Sequence, residues 1–360
     1  MNKFGAASSV LCILASLAIA GCKDTVYTGR HAVPYVSEIL YGDGSGRELL
    51  ESFDAHDSKG SITLVGPYDS SLTARFIYAD DLDNIDAKPV PDGLPDFSGE
   101  CIDVIDDAAH SPYSYASDED KEALRTLAVK NFINAMDTKC SIGSFDDERL
   151  LDKAPAKMVV FTSPLNALYG EFDVDTLCTI TDCRIPVVYP SRTVFAKQLD
   201  RGIEHLHIAV ITDSTTAASG VYPEIFDEIS RKKGILGTGC VAFTADSLAT
   251  LNSILSGYKS SGGDMPVSAV VIDDPDVSID DVEASLDYVL SVQNEANINS
   301  RKLITKDFVI VDMRQVTVDE CYRILRKNNV FTHNIAYPVC KEYVTVKSGG
   351  KEGYNIVEKD

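Results

Sequence analysis

Basic charge is scarce in this 360-residue chain: 33 Lys and Arg stand against 55 Asp and Glu, a formal net charge of −22. Nucleic-acid binding depends on Lys and Arg neutralising phosphates, and adhesion to an anionic membrane surface needs the same residues, so neither fits this composition. The nine cysteines are too few for a disulfide scaffold at this length. No apolar run reaches the roughly 20 residues that span a bilayer as a helix. The familiar catalytic signatures are also missing: G-x-S-x-G, H-E-x-x-H, a P-loop, and G-x-G-x-x-G after a strand. The glycines of "YGDGSGRELLESF" (41–53) match none of these and read as a flexible turn before a helix. No Cys-x-x-Cys or His spacing suggests zinc. No metal and no cofactor are expected. What remains is ordinary for a globular protein: 44% hydrophobic and 24% charged residues.

The first residues carry an address. Lys3 precedes an apolar stretch from Val10 to Ala20, then Gly21 and Cys22, the order of a secretory signal. Ile19-Ala20-Gly21-Cys22 resembles the lipobox of bacterial lipoproteins. The resemblance implies cleavage before Cys22, lipid on that cysteine, and a chain held to a membrane by its acyl groups alone. Lys23 rather than Asp follows the cysteine, which favours an outer membrane over an inner one. Cys12 would leave with the signal. Cys101, Cys140, Cys178, Cys183, Cys240, Cys321 and Cys340 would stay, an odd number that leaves at least one unpaired within a monomer. Cys178 and Cys183 are close enough to staple a loop; a metal site is the rival reading.

From residue 60 the pattern is regular. "SITLVG" (61–66), "CIDVID" (101–106), "KMVVFT" (157–162), "IPVVYP" (185–190), "LHIAVIT" (206–212), "GCVAFT" (239–244), "VSAVVID" (267–273) and "DFVIVDM" (307–313) read as strands. Helices fall between them, at 70–82, 117–137, 220–234, 246–258, within 279–298, and at 317–327. Alternation of this kind implies crossover connections and largely parallel sheets, whose strands are apolar on both faces. The expected class is α/β: two Rossmann-like lobes, mostly parallel sheets flanked by helices. The expected divisions are a signal at 1–21, a tether and lead-in at 22–59, a first lobe at 60–204, a second at 205–330, and a C-terminal segment at 331–360 that could cross back to the first lobe. "DAKPVPDGLPDFSGE" (86–100) reads as a surface loop.

Ligands in open parallel sheets sit beyond the carboxyl ends of strands. Those positions hold Ser163 and Asn166, Ser191 and Arg192, Asp213 and Ser214, and Asp273. They suit hydrogen bonding to a small polar molecule; capping of the next helix is the plainer reading. For acid–base work the best candidate is His110, just after "CIDVIDD" and beside Asp106 and Asp107. His205 and His207 lie at the wrong end of a strand, and His333 has no obvious partner. The acidic stretches 78–86 and 271–276 lack calcium-loop spacing.

"KMVVFTSPLNALYG", "CRIPVVYPSRTV" and "LHIAVITDSTTAASGVYPEIFDEISRKKGI" together resemble the middle of type I periplasmic binding proteins, nearest the leucine/isoleucine/valine-binding branch. The resemblance implies two lobes clasping a small ligand, with Ser163, Asn166, Ser191, Asp213, Tyr222 and Asp273 facing it. It implies an amino acid-like or nucleoside-like solute and a membrane transporter or receptor as partner. Two other readings stand beside it: a surface α/β enzyme of hydrolase type using His110 with Asp106 or Asp107, and a non-catalytic lipoprotein that meets other proteins.

Overall fold

Strand β1 (Ser61–Gly66) is buried along its whole length, and β-branched and apolar residues fill both of its faces. Its neighbours follow the same logic. The computed structural model describes residues 30–145, 148–332, 334–349 and 353–359. Among them the remaining strands are β2 (Cys101–Asp106), β3 (Lys139–Ser141), β4 (Arg149–Asp152), β5 (Ala156–Phe161), β6 (Val187–Val188), β7 (His207–Ile211), β8 (Gly239–Phe243), β9 (Val267–Ile272), β10 (Ile304–Asp312), β11 (Val339–Lys347) and β12 (Tyr354–Glu358).

Two sheets result. The first has eight strands in the order β4-β3-β12-β11-β2-β1-β5-β6, and the second four in the order β10-β9-β7-β8. Pairing is parallel from β11 through β2, β1 and β5 to β6, and throughout the second sheet. Antiparallel pairs are confined to β11 with β12 and β3 with β4. The class is α/β, two lobes with mostly parallel sheets flanked by helices.

Side-chain alternation divides the core. In β1 and β2, Ile62, Leu64, Ile102 and Val104 face one layer with Phe76, Tyr322 and Leu325. Val65 and Ile105 face the other layer, with Phe132 and Phe161. That second layer runs without a break into one face of the smaller sheet, through Phe195, Tyr222 and Phe226 to Ile208, Val210, Ala269 and Val271. Ala209, Ile211, Val270 and Ile272 face a third cluster. One core thus serves both sheets. The Phe195 ring meets Phe226 edge-on at 5.3 Å and Tyr222 at 6.0 Å.

Local signals set the helices. Ser117 caps helix Asp118–Met136 in a capping box with Asp120, and three acids occupy its first turn. Gly220 and Gly234 bound helix Val221–Lys233 in the left-handed conformation, each with φ of 68°. One expectation needs correction. Residues 34–51, read as part of a tether, contain helices Pro34–Tyr41 and Ser45–Glu51, and Val36, Ile39, Leu40 and Leu50 are buried in the main core. Proline at the first position starts one of these helices and apolar residues on one side anchor both. The 86–100 stretch carries no helix or strand.

Candidate active site

Asp107 is the first residue after β2 and is fully buried. A buried carboxylate needs donors, and this one has four. Its Oδ1 accepts from His110 Nδ1 at 2.5 Å and from Thr345 Oγ1 at 3.0 Å. Its Oδ2 accepts from Tyr113 Oη and Asn131 Nδ2, both at 2.9 Å. Two oxygens offer about four lone-pair positions, so the carboxylate is saturated and acts purely as an acceptor. Burial pushes its pKa up, but the bond and charge of His110 and the bonds from Asn131 and Tyr113 outweigh this and hold it below the ordinary value.

That arrangement decides the histidine. With a carboxylate on Nδ1, the neutral imidazole keeps its proton there, and Nε2 is left to accept a proton from a molecule alongside. The His110 side chain is 22% exposed and lines a cleft of about 450 Å³. The Tyr354 ring packs against the imidazole at a tilt of 54°, with centroids 3.9 Å apart. Leu124 and Leu127 of helix Asp118–Met136 form an apolar wall, while Ser114, Asp120 and Lys130 bring polar groups to the same cleft. An apolar wall with a few converging polar groups is the usual make-up of a small-molecule site.

The fold explains the assembly. Parallel strands β2 and β11 pair in register up to Asp106 and Val344, so the next residue of each, Asp107 and Thr345, meet across 238 positions of sequence. The β11–β12 hairpin also carries Tyr354 against the imidazole. A tight turn, with the amides of His110 and Ser111 both donating to the Asp107 carbonyl at 3.1 Å, brings the ring back onto its own carboxylate. Of the two acids expected beside His110, Asp107 is the partner. Asp106, the last residue of β2, does not bond the ring; burial raises its pKa and Lys359 opposes the rise. Asn131 sits among Leu124, Leu127, Ala128, Phe132 and Ala135, polar on an otherwise apolar face. That mismatch was a readable signal; Tyr113, Thr345 and Tyr354 carried none.

The strand-end residues expected to bind ligand are placed differently. Ser163 Oγ accepts from the Leu165 amide at 3.3 Å, and Asn166 is fully buried at the start of a π-helical turn, Asn166–Gly170. Ser191 is 1% exposed within helix Pro190–Leu199. Arg192 is engaged by Glu171 at 2.7 Å, Glu228 at 2.9 Å and the Ala167 carbonyl at 3.0 Å. Burial raises the Glu171 pKa to about 7 although Arg192 opposes the rise. Asp213 caps its helix through the amides of Thr215 and Thr216, and Ser214 is the exposed first residue of that helix. Tyr222 is fully buried and donates to Asp273, which also accepts from Thr212 at 3.2 Å. Among these residues the structure joins only Tyr222 with Asp273. His207 is the first residue of β7 and His205 precedes it by two, and no bond to a catalytic partner is seen for either among the described residues. Cys22 and His333 lie outside the described residues.

The facing edges of the two sheets are closed by the protein's own groups. Arg75 reaches Asp312 at 3.0 Å, Arg314 reaches Ser71 at 3.3 Å, and Gln315 reaches Asp81 at 2.9 Å.

No family model matches the chain, and no curated protein matches it. Among solved structures it is similar to a glutamate racemase isoform from Bacillus anthracis (TM-score 0.44, 15% identity, 80% of this chain and 90% of that one). It is similar also to glutamate racemase from Francisella tularensis in complex with D-glutamate (0.45, 14%, 80% and 89%). A third is unliganded arylmalonate decarboxylase (0.34, 12%, 74% and 92%). The likeness is one of fold, and one fold hosts many chemistries, so no activity is carried over.

The solute-binding expectation is corrected. Within this chain, Asp213 caps a helix, Arg192 is taken by Glu171 and Glu228, Tyr222 bonds Asp273, and one core continues between the two sheets, so these residues do not converge on a solute. The small polar solute held between lobes and the transporter or receptor partner fall with it.

Proposed function

We propose that the chain is an acid–base enzyme in which His110, oriented by Asp107, moves a proton to or from a small substrate in the cleft beside helix Asp118–Met136. The single observation behind this reading is the saturated, fully buried Asp107 on Nδ1 of a histidine that opens to a cleft. A carboxylate so held fixes the tautomer and stabilises the imidazolium formed during proton transfer. His110 Nε2 takes a proton from water as its oxygen bonds the carbonyl carbon, then returns it to the alcohol or amine that leaves. The outcome is hydrolysis of a small ester or amide. Leu124 and Leu127 accommodate an apolar portion of the substrate, and Lys130 meets an acidic one.

The test is turnover of a panel of small esters, amides and lactones by the wild-type chain and by His110→Gln. Removal of a general base costs about 10²–10⁴-fold. A wild-type activity that His110→Gln retains within about threefold overturns the proposal, as does the absence of any turnover across the panel. On the Ile19–Cys22 sequence alone we also propose export and a lipid anchor at Cys22; palmitate labelling that survives Cys22→Ser contradicts it.

A further inference from the structure

Helix Glu171–Thr181 ends in a left-handed residue, Asp182, with φ of 52° and ψ of 26°. The amides of Asp182 and Cys183 both turn back to the Cys178 carbonyl, the latter at 3.0 Å. This is the Schellman arrangement, in which the residue beyond the left-handed position packs against the one five places earlier. An apolar pair usually fills those two places. Here they hold two cysteines, Cys178 and Cys183, both free. The backbone turn thus sets the two cysteine side chains beside each other.

We propose that Cys178 and Cys183 form a reversible disulfide that locks the C-terminus of this helix. The turn stands at the surface: the side chains of Arg184 and Asp182 are 75% and 80% exposed. The neighbouring Cys178 thiol and the Ile185 amide favour charge on Cys183, whose pKa lies below the ordinary thiol value despite burial, and the same neighbourhood raises that of Cys178. The oxidant is a low-molecular-weight disulfide such as oxidised glutathione. The Cys183 thiolate attacks one of its sulfurs and expels a glutathione thiolate. Cys178, losing its proton to solvent, then attacks Cys183 in the mixed disulfide and expels the second. The pair loses two electrons and two protons, and the oxidant becomes two thiols.

The sequence makes the test direct. Trypsin releases Met158–Arg184, which holds these two cysteines and no others. The folded chain is treated with oxidised glutathione, quenched in acid, denatured with N-ethylmaleimide and digested. The expected peptide carries neither maleimide nor glutathione and takes two maleimides once reduced. Closing so short a loop also raises Tm by roughly 2–4 °C over the reduced chain. Cys183→Ser should instead hold glutathione on Cys178, with no oxidant-dependent rise in Tm. Two maleimides on the wild-type peptide after oxidation, or separate glutathione adducts on both cysteines, overturn the proposal.

Discussion

Replacing Asp107 by asparagine tests the site through stability, without a substrate. Asparagine keeps one acceptor oxygen and puts an NH₂ where the other stood. Either His110 and Thr345, or Tyr113 and Asn131, then face a donor in place of an acceptor. Hydrogen bonds to a charged group are worth about 1.5–3 kcal/mol each. Two are lost, and rotation of the Asn131 amide recovers at most one. The expected loss is about 2–5 kcal/mol, a large share of the roughly 5–15 kcal/mol that holds a domain folded. The assay is urea unfolding of both proteins from pH 7 down to about pH 3. The folded Asp107 pKa is depressed, so its stabilisation is complete above the unfolded value near 3.8 and is lost as pH falls through the lower folded value. The gap between the two proteins is therefore full at pH 7 and narrows only at the acid end. A variant within about 0.5 kcal/mol of wild type at pH 7, the scatter of an ordinary surface substitution, would refute the four-donor description.

Two further substitutions separate a structural role from a ligand-binding one. Burial raises the Asp273 pKa from 3.8 to about 6, so its favourable protonated form is complete below 3.8 and lost as pH rises through 6. Asp273→Asn keeps an oxygen for Tyr222 and Thr212 and should stabilise the protein above pH 6, by up to about 3 kcal/mol, with no gain near pH 4. Thermal melts at both pH values check it; equal gains at both would contradict the titration. Arg192→Met leaves Glu171 and Glu228 facing each other beside a lost cation and should cost about 3 kcal/mol or more. Urea unfolding reads this, and an unchanged midpoint would show that Arg192 has no structural work.

Strands buried on both faces are legible because their apolar runs are continuous; β1, β5, β7 and β9 are of this kind. Strand β11 is not, because "VCKEYVTVK" is only half-buried and its place beside β2 depends on a pairing more than two hundred residues away. The site divides the same way. Asp107 and His110 could be read together because one turn contains both. Thr345 and Tyr354 reach them only through the β11–β12 hairpin, which no local pattern announces. The strand-end rule points to polar residues beyond the carboxyl ends of the strands. It could not show that Arg75, Arg314 and Asp312 would occupy those ends themselves, or that Arg192 already had two carboxylates. Such pairings depend on three-dimensional distance, and a single sequence carries no trace of them.

The central claim is that Asp107 holds the proton of neutral His110 on Nδ1 and leaves Nε2 as the base. Nitrogen-15 NMR of histidine-labelled protein reads this directly, with the His110 signals assigned by their loss in His110→Gln. In the pH range where the ring is neutral, the account predicts a protonated-type shift for Nδ1 and an unprotonated-type shift for Nε2. A neutral ring carrying its proton on Nε2 would contradict it.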